Sequence, residues 1–363
     1  MRPRTPHPLS GLKVVEFTHV IAGPYAGMQM ALLGAEVTKV EPPTGGDYLI
    51  TLPHGQRAYA ALNGVKRIEH IDLASAAGQE QARALVGEAD ILVDSLAPGT
   101  LARKGLGYEA LAGHHRRLIY CSISGFGTEH AAWGARRAYD HVVQAMTGMA
   151  LQTGREGDPP IKVGFPVVDT ATGALAVNAV LAALLERHAT GVGQYLEVSM
   201  ARAAVQLLFT GASESVLTGR DVPRVGNVGY SGSPAARFFA CREGQLALGA
   251  NTEAQIERAL KALGAAPPPL HETASLAAAE RAKHHAEAIE SALRTMSAAE
   301  AEQRLTDANV PAARVRTLLE FLREAGGVGW LDLRDLGAPA MASVFGTGWR
   351  SFEPGAVAHE GEA

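Results

Sequence analysis

The sequence predicts an α/β fold, with a parallel sheet at the centre of a large first domain and a smaller domain after it. Three observations lead to this prediction. Short apolar segments alternate with helical segments along the first third of the chain, which is typical of a doubly wound sheet. The 363 residues exceed the ~250 to 300 at which one hydrophobic core stops growing. Hydrophobic residues make up 47% of the chain, which is enough to fill two cores.

The opening of the chain predicts one complete parallel crossover. Leu12–Phe17 is a short apolar segment, Tyr25–Leu33 is an apolar helical segment, and Glu36–Val40 is a second strand-like segment. Such a unit occupies about thirty residues or a little more. The alternation continues through a predicted helix, strand, short helix and strand: Gln79–Glu88, Ile91–Val93, Tyr108–Ala112 and Leu118–Ile123. We therefore expect ligands at the carboxyl ends of these strands.

The pattern changes after Gly125. A long apolar helix is predicted over Ala171–His188, with Gly191 as its natural end. A strand at Gln194–Val198 and a helix at Ala201–Leu217 follow, and then a glycine-rich polar loop. We place the domain boundary in that loop, which predicts three parts: a large domain at 9–217, a smaller domain with a strand at Gln245–Gly249 at 218–325, and a C-terminal segment at 326–363 that returns to the large domain.

The composition excludes several classes of function. The formal net charge of -4 offers nothing to attract nucleic acid or an anionic membrane, so an anionic ligand must meet local basic clusters. Two cysteines far apart, Cys121 and Cys241, give neither zinc-site spacing nor a disulfide framework. The first ten residues contain no apolar run, and we expect a cytoplasmic protein. The apolar stretch Ala171–Leu185 is shorter than the ~18 residues of a membrane span, which indicates a buried core helix.

The common catalytic and nucleotide-binding motifs are missing from the sequence. No Gly-x-Gly-x-x-Gly and no Gly-x-x-x-x-Gly-Lys-Ser/Thr loop occurs, which disfavours an ordinary dehydrogenase or ATPase. No His-Glu-x-x-His and no Gly-x-Ser-x-Gly occurs either, which removes support for metal hydrolysis and for a serine triad. We predict no metal site.

Three features have both a structural and a functional interpretation. The turn Thr18–Pro24 has small residues and a proline at the first helical position, so its amides could hold an anion, although any tight crossover needs small residues. The pairs Arg103-Lys104 and Arg136-Arg137 could bind phosphates or be solvated surface. His141, beside Asp140, could be a base or a structural donor.

Asp169 immediately precedes the long apolar helix in the segment Val167–Gly173. A helix N-terminus favours the ionised carboxylate, which would keep Asp169 a competent nucleophile. The position also fits a helix cap, a common role that is worth ~1 kcal/mol. On local sequence alone, the cap is the favoured interpretation.

Motifs spread along the chain resemble a known family. They cover residues 9 to 205 densely and 237 to 320 loosely: Leu9–Thr18, Ala22–Pro24, Leu33–Val37, Lys39–Pro43, Gly45–Asp47, Ala89–Asp94, Pro98-Gly99, Leu106–Tyr108, Cys121–Gly127, Arg187–Gln194, Ala247–Asn251 and Val310–Ala313. These segments resemble the class III CoA-transferases, the family that includes formyl-CoA transferase, carnitine CoA-transferase and the α-methylacyl-CoA racemases.

The resemblance implies a fold, a nucleophile and a set of coenzyme contacts. The fold would be a Rossmann-like large domain with a smaller domain, in an interlocked homodimer. The family's nucleophilic aspartate falls on Asp169, in an Asp-x-x-x-Gly context that ends at Gly173. CoA would be a co-substrate, with no tightly bound cofactor. By position, the CoA contacts would be Ile21, Ala22, Ile71, Asp72, Leu73, Ala74, Ser95, Leu96, Ala97, Arg103, Arg136, Arg137, Ala138 and Tyr139.

Departures from the family pattern narrow the expected activity. Formyl-CoA transferase has a glutamine at the position of Ile21 and a glycine-rich flap, for which Gly229–Gly232 is the candidate here, so oxalate and formate are disfavoured as substrates. The racemases have a histidine where this chain has Tyr139, which favours a transferase. We expect CoA transfer from an acyl-CoA to a free carboxylic acid. The alternatives are proton abstraction by Asp169 and His141, as in a racemase, and a CoA-binding dimer without turnover.

Overall fold

A computed structural model describes residues 7–53, 55–129, 131–265 and 278–327. This part of the chain divides into two compact units. The first unit holds 7–151 and 162–222, and the second holds 152–161 and 223–327.

The first unit is built on six parallel strands, and the predicted parallel α/β architecture is confirmed. The strands, numbered in chain order, are β1 Lys13–Phe17, β2 Glu36–Glu41, β3 Arg67–His70, β4 Ile91–Asp94, β5 Ile119–Ser124 and β6 Tyr195–Ser199. Their order across the sheet is β3-β2-β1-β4-β5-β6, with every neighbouring pair parallel. The direction of winding reverses between β1 and β4, and ligands bind at such a switch point in open α/β sheets.

Helices cover both faces of this sheet. They are α1 Ala22–Leu32, α2 Gly55–Asn63, α3 Ala76–Gly87, α4 Tyr108–Ala112, α5 Asp140–Met146, α6 Val167–Thr190, α7 Met200–Leu207 and α8 Phe209–Thr218. Apolar side chains of α1 and α6 pack with one face of the strands, and those of α3 and its neighbouring loops pack with the other. The predicted helix over 201–217 is two helices that meet at Leu208, where the backbone departs from helical geometry.

Helix α6 combines unusual length with an apolar composition. Its mean hydropathy of 1.7 would allow it to cross a membrane by length and composition alone. One face of the helix, with Ala176, Val177, Val180 and Ala183, lies in the core against the sheet. Leu185 is 76% exposed, so the predicted burial holds for that face and not for the whole helix. The close packing of α6 against α1 places the start of α6 near the end of β1.

The second unit combines a small antiparallel sheet with helices. The strands β7 Ala236–Ala240, β8 Gln245–Gly249 and β9 Ala312–Arg314 pair antiparallel in that order. The helices are α9 Glu253–Leu263, α10 Ala278–Leu293, α11 Ala298–Asp307 and α12 Leu318–Gly327. Apolar side chains of α9, α10, α11 and the strands enclose a separate core.

The segment 152–161, which the prediction places in the large domain at 9–217, clusters with the second unit. Backbone pairing explains this placement. Gly226 N donates to Gly154 O at 3.0 Å, and the Arg224 guanidinium donates to the carbonyl oxygens of Asp158 and Pro159. Almost all of the predicted C-terminal segment, 326–363, lies outside the described residues.

Candidate active site

A cavity of about 240 Å³ lies in the first unit at the switch point between β1 and β4. Its walls are the turn after β1, the loop after β4, the end of β5, the segment before α5, and the beginnings of α6 and α7. Ten residues predicted for the site line it together: Ile21, Ala22, Ser95, Leu96, Ala97, Arg136, Arg137, Ala138, Tyr139 and Asp169. The fold thus brings the predicted nucleophile and both arginines of one basic pair to a single cavity.

A second cavity of about 430 Å³ lies in the same unit, and it shares His19 and Leu96 with the first. The remaining predicted contact segment lines it, namely Ile71, Asp72, Leu73 and Ala74. Arg103 lines neither cavity, and its guanidinium donates to Thr100 Oγ1 at 3.2 Å. The neighbouring Lys104 lines the second cavity instead. The contacts of all these residues with CoA stay predictions.

The turn after β1 approaches the loop after β4 closely, and a glycine makes this possible. A Cβ atom on Gly23 would lie 2.6 Å from both Ser95 Oγ and Thr18 Cγ2. The two segments are also tied by hydrogen bonds, because Ser95 N donates to Phe17 O at 3.1 Å and His19 N donates to Ser95 Oγ at 3.4 Å. Helix α1 then begins at Ala22 without a side-chain cap.

Asp169 does not cap the long helix, so the interpretation of Asp169 as a cap is wrong. The helix begins at Val167, its N-cap residue is Pro166, and Asp169 lies within the first turn. The cap comes instead from Asp140, whose Oδ2 accepts hydrogen bonds from Val168 N at 2.7 Å and Asp169 N at 3.1 Å. Asp140 is therefore the anion that the start of α6 stabilises.

Burial raises the pKa of the Asp169 carboxyl to about 7, and the nearby charge of Asp140 acts in the same direction. The expectation that the helix N-terminus keeps Asp169 ionised is therefore wrong in direction. The reason is that burial disfavours the ionised carboxyl, and the charge of Asp140 adds to this effect. Near neutral pH, both forms of Asp169 are populated.

Sequence reasoning missed the role of Asp140 and the position of His19 in the cavity wall. His19 directly follows β1 within the turn, so the rule for carboxyl ends of strands could have indicated it. His141 does not line the cavity, and its ring stacks on Tyr139 with the ring centroids 6.2 Å apart. The residues that the structure describes contain no group of three His, Cys, Asp or Glu side chains able to hold a metal ion.

The candidate flap, Gly229–Gly232, belongs to the second unit. Ser231 Oγ donates to Asn251 Oδ1 at 2.5 Å, and Gly229 N donates to Ala236 O at 2.7 Å. The Tyr230 side chain between them is 90% exposed. The segment is thus held to β7 and the residues after β8, and its role as a flap stays a prediction.

Comparisons with known proteins agree on one family. The model of CoA-transferase family III matches residues 9–329. A succinate–glutarate CoA-transferase from Agrobacterium fabrum is 34% identical over 72% of this chain and 68% of its own length. A human succinyl-CoA:glutarate CoA-transferase is 31% identical over 70% of this chain, which spans only 59% of that protein. A crystal structure of a CAIB/BAIF family protein from Brucella suis shares 29% identity, with a TM-score of 0.76 over 88% of this chain and 86% of that one.

Proposed function

The chain belongs to CoA-transferase family III, which makes it an enzyme of the CoA-transferase class, and we propose that Asp169 carries the acyl group during transfer. The observation that supports this role most is the position of Asp169 in the wall of the switch-point cavity. There it lies with Arg136 and Arg137, two of the three arginines expected to contact CoA. A carboxylate in such a cavity needs no resident cofactor to exchange one thioester for another.

The proposed reaction has two pairs of steps. An Asp169 oxygen attacks the thioester carbonyl, the carbon–sulfur bond breaks, and CoA leaves as the thiolate from a mixed anhydride. The thiolate attacks the Asp169 carboxyl carbon, the donor acid leaves, and an enzyme–CoA thioester remains. The acceptor carboxylate attacks this thioester and releases the thiolate, which then attacks the acceptor's acyl carbon. Acyl-CoA is formed and the Asp169 carboxylate is regenerated.

Oxyanions form in each step and need hydrogen-bond donors. The amides of Val168 and Asp169 already donate to Asp140, which makes them poor candidates. The start of α1 is the better source, because it has no side-chain cap and its first residue, Ala22, lines the cavity. We therefore assign oxyanion stabilisation to the backbone at the start of α1.

For the substrates, we propose an acyl-CoA and a free acid of the dicarboxylic class. The relatives from Agrobacterium and human are named for succinate or succinyl-CoA together with glutarate. Ile21 provides an apolar surface in the cavity wall that suits the methylene groups of such acids better than oxalate. The alternative is proton abstraction next to the thioester, because a carboxyl with a pKa of about 7 also suits a general base.

Incubation in deuterated water with succinyl-CoA and glutarate separates these activities. We expect glutaryl-CoA to form only when the free acid is present, with no deuterium in its acyl group, because covalent transfer breaks no carbon–hydrogen bond. Mass spectrometry measures both quantities. A chiral 2-methylacyl-CoA serves as the second substrate. Rapid deuterium uptake into it without transfer to the acid would favour the racemase-like alternative. If neither reaction occurs, the proposed substrates are contradicted.

The pH dependence of transfer should follow Asp169, because only the ionised carboxylate is a nucleophile. The acid limb of kcat/KM for the free enzyme is expected to rise with an apparent pKa of about 7. The substitution Asp140→Asn removes one of the two causes of the raised pKa and should move this limb to lower pH. Stopped assays between pH 5 and 9 measure it. An unchanged limb in Asp140→Asn would contradict the assignment of the limb to Asp169.

We also propose that the chain forms the interlocked homodimer expected from the family resemblance. Helix α8 supports this, because none of its residues is buried and the apolar side chains of Phe209, Val216 and Leu217 are 66%, 84% and 82% exposed. An exposed apolar face of this kind marks an interaction surface. Sedimentation at micromolar concentration should give twice the chain mass of 38.0 kDa, and a single chain mass would contradict the proposal.

A further inference from the structure

The turn after β1 contains a strained residue. Val20 has a φ of 66°, in the left-handed region, and Asn309 is the only other non-glycine residue with a positive φ in the described ranges. A β-branched residue in this region is a genuine outlier, because its side chain crowds the backbone. Such strain persists only where the surrounding structure holds the residue in place.

A buried ion pair holds this turn on both sides. Asp47 Oδ1 accepts hydrogen bonds from Val20 N at 3.0 Å and from Leu49 N at 2.9 Å. Asp47 Oδ2 lies 3.1 Å from Lys39 Nζ, and both side chains are completely buried. Lys39 Nζ in turn donates to Thr18 O at 2.5 Å. The ion pair of Lys39 and Asp47 thus holds the turn on both sides of His19. Lys39 binds the Thr18 carbonyl before it, and Asp47 binds the Val20 amide after it.

The same turn separates the two cavities of the first unit. Val20 lines the first cavity, Thr18 lines the second, and His19 lines both. The residues that follow, Ile21 and Ala22, form the next part of the first cavity wall. If Val20 relaxed to a negative φ, the backbone between His19 and Ala22 would follow a different path, and the shape of the cavity wall would change.

We infer that Asp47 is a positioning residue for CoA binding, which holds Val20 in the left-handed region and so keeps the wall between the two cavities in its binding form. The inference rests on the proposed function for the identity of its ligand. Asp47 lines the second cavity but not the first, and its side chain is completely buried against Lys39, so it acts on the first cavity through the backbone of the turn. When a turn samples a second conformation, the measured affinity falls in proportion to the population of the binding form.

The test measures the dissociation constant for CoA by calorimetry, without turnover. Asp47→Ala should weaken binding at least tenfold, because Val20 N loses its acceptor. Asp47→Asn is the matched control, since its carbonyl oxygen can still accept from Val20 N and Leu49 N although the ion pair with Lys39 is lost. We expect its affinity to stay within threefold of the parent, while both variants lose melting temperature.

A double-mutant cycle with Val20→Gly tests the strain directly. Glycine adopts positive φ without a penalty, so the turn no longer needs Asp47 to hold it there. In the Val20→Gly background, Asp47→Ala should weaken CoA binding by threefold or less. In the parent background, the KM for acyl-CoA should rise with the dissociation constant while kcat stays within threefold.

Two results would overturn the inference. One is an equal loss of affinity for CoA in Asp47→Ala and Asp47→Asn. Both variants lose the ion pair with Lys39, so an equal loss would come from that charge and not from the hydrogen bond to Val20 N. The other is an undiminished loss of affinity in the Val20→Gly background.

If Asp47→Ala alone does not fold, the two Asp47 variants are compared in a Lys39→Met background, where Lys39 is no longer a buried cation without Asp47. The same fold-changes in the dissociation constant for CoA are expected there. If the variants show these fold-changes but the parent transfers no CoA, the proposed function alone is contradicted. If the parent does not bind CoA, the proposed function and the inference about Asp47 are both contradicted.

Discussion

Asp169→Asn should abolish CoA transfer and leave the fold intact. An amide is a very poor nucleophile, so the covalent route stops at its first step and the rate is expected to fall by several orders of magnitude. Incubated with acyl-CoA alone, the parent should form a hydroxylamine-sensitive adduct on the peptide that contains Asp169. The variant should form none. Mass spectrometry of the intact protein and its peptides measures both, and it also detects any deamidation back to aspartate.

The stability of this variant follows from the raised pKa of the parent carboxyl. Its pKa is about 7 in the folded state against an ordinary value of 3.8, so folding favours the protonated form. That contribution to stability is fully present below pH 3.8 and is lost as the pH rises through about 7. The asparagine variant carries no such charge, and we expect it to melt at or above the parent at pH 8.

The exposed residue Asp307 offers a matched control. It lies at the end of a helix in the second unit and accepts a hydrogen bond from Gln303 Nε2 at 2.7 Å. Asp307→Asn should keep parental activity. An active Asp169→Asn variant, verified to contain no aspartate, would remove Asp169 from the proposed mechanism.

The location of the site could be predicted from the sequence because it depends on topology. Residues that follow parallel strands meet at one edge of the sheet, and Ser95, Leu96 and Ala97 after β4 indeed lie with Ile21 and Ala22 after β1. The apolar strands at the centre of the sheet could be predicted because burial gives them a clear apolar pattern. Strand β3, with the sequence RIEH, could not, because an edge strand with exposed charged residues has no such pattern.

The electrostatics of the site could not be predicted, because they depend on contacts between distant segments. The local sequence around Asp169 indicates a cap, and nothing near it shows that Asp140, 29 positions earlier, accepts from its amide instead. The left-handed conformation of Val20 is hidden in the same way, because its acceptor Asp47 lies 27 positions later. Both features arise only when the fold brings the segments together.

Gly173→Val should separate the nucleophile from the turn after β1, and it is expected to have the largest effect on stability. A Cβ atom at Gly173 would lie 2.6 Å from Ala22 O and 2.9 Å from Tyr25 Cδ1. The first neighbour is backbone at the start of α1, so the clash can be relieved only by moving α1 away from α6. Overpacking of this kind costs ~1 to 3 kcal/mol and occasionally more, which exceeds the gain in helix propensity on replacing glycine.

The same displacement should reduce activity, because Asp169 lies one helical turn before Gly173, and Ala22 at the start of α1 lines the same cavity as Asp169. A shift of ~1 Å in catalytic geometry can cost about 100-fold in rate, so we expect a loss of that order in kcat even in the folded fraction.

Gly87→Val is the matched control, since Gly87 is also helical and a Cβ atom placed there would have no neighbour within 4 Å. Denaturant unfolding and transfer assays on both variants provide the measurement. A Gly173→Val protein with parental stability and rate would show that the glycine is not required for the contact between α1 and α6, and that this contact does not set the position of Asp169.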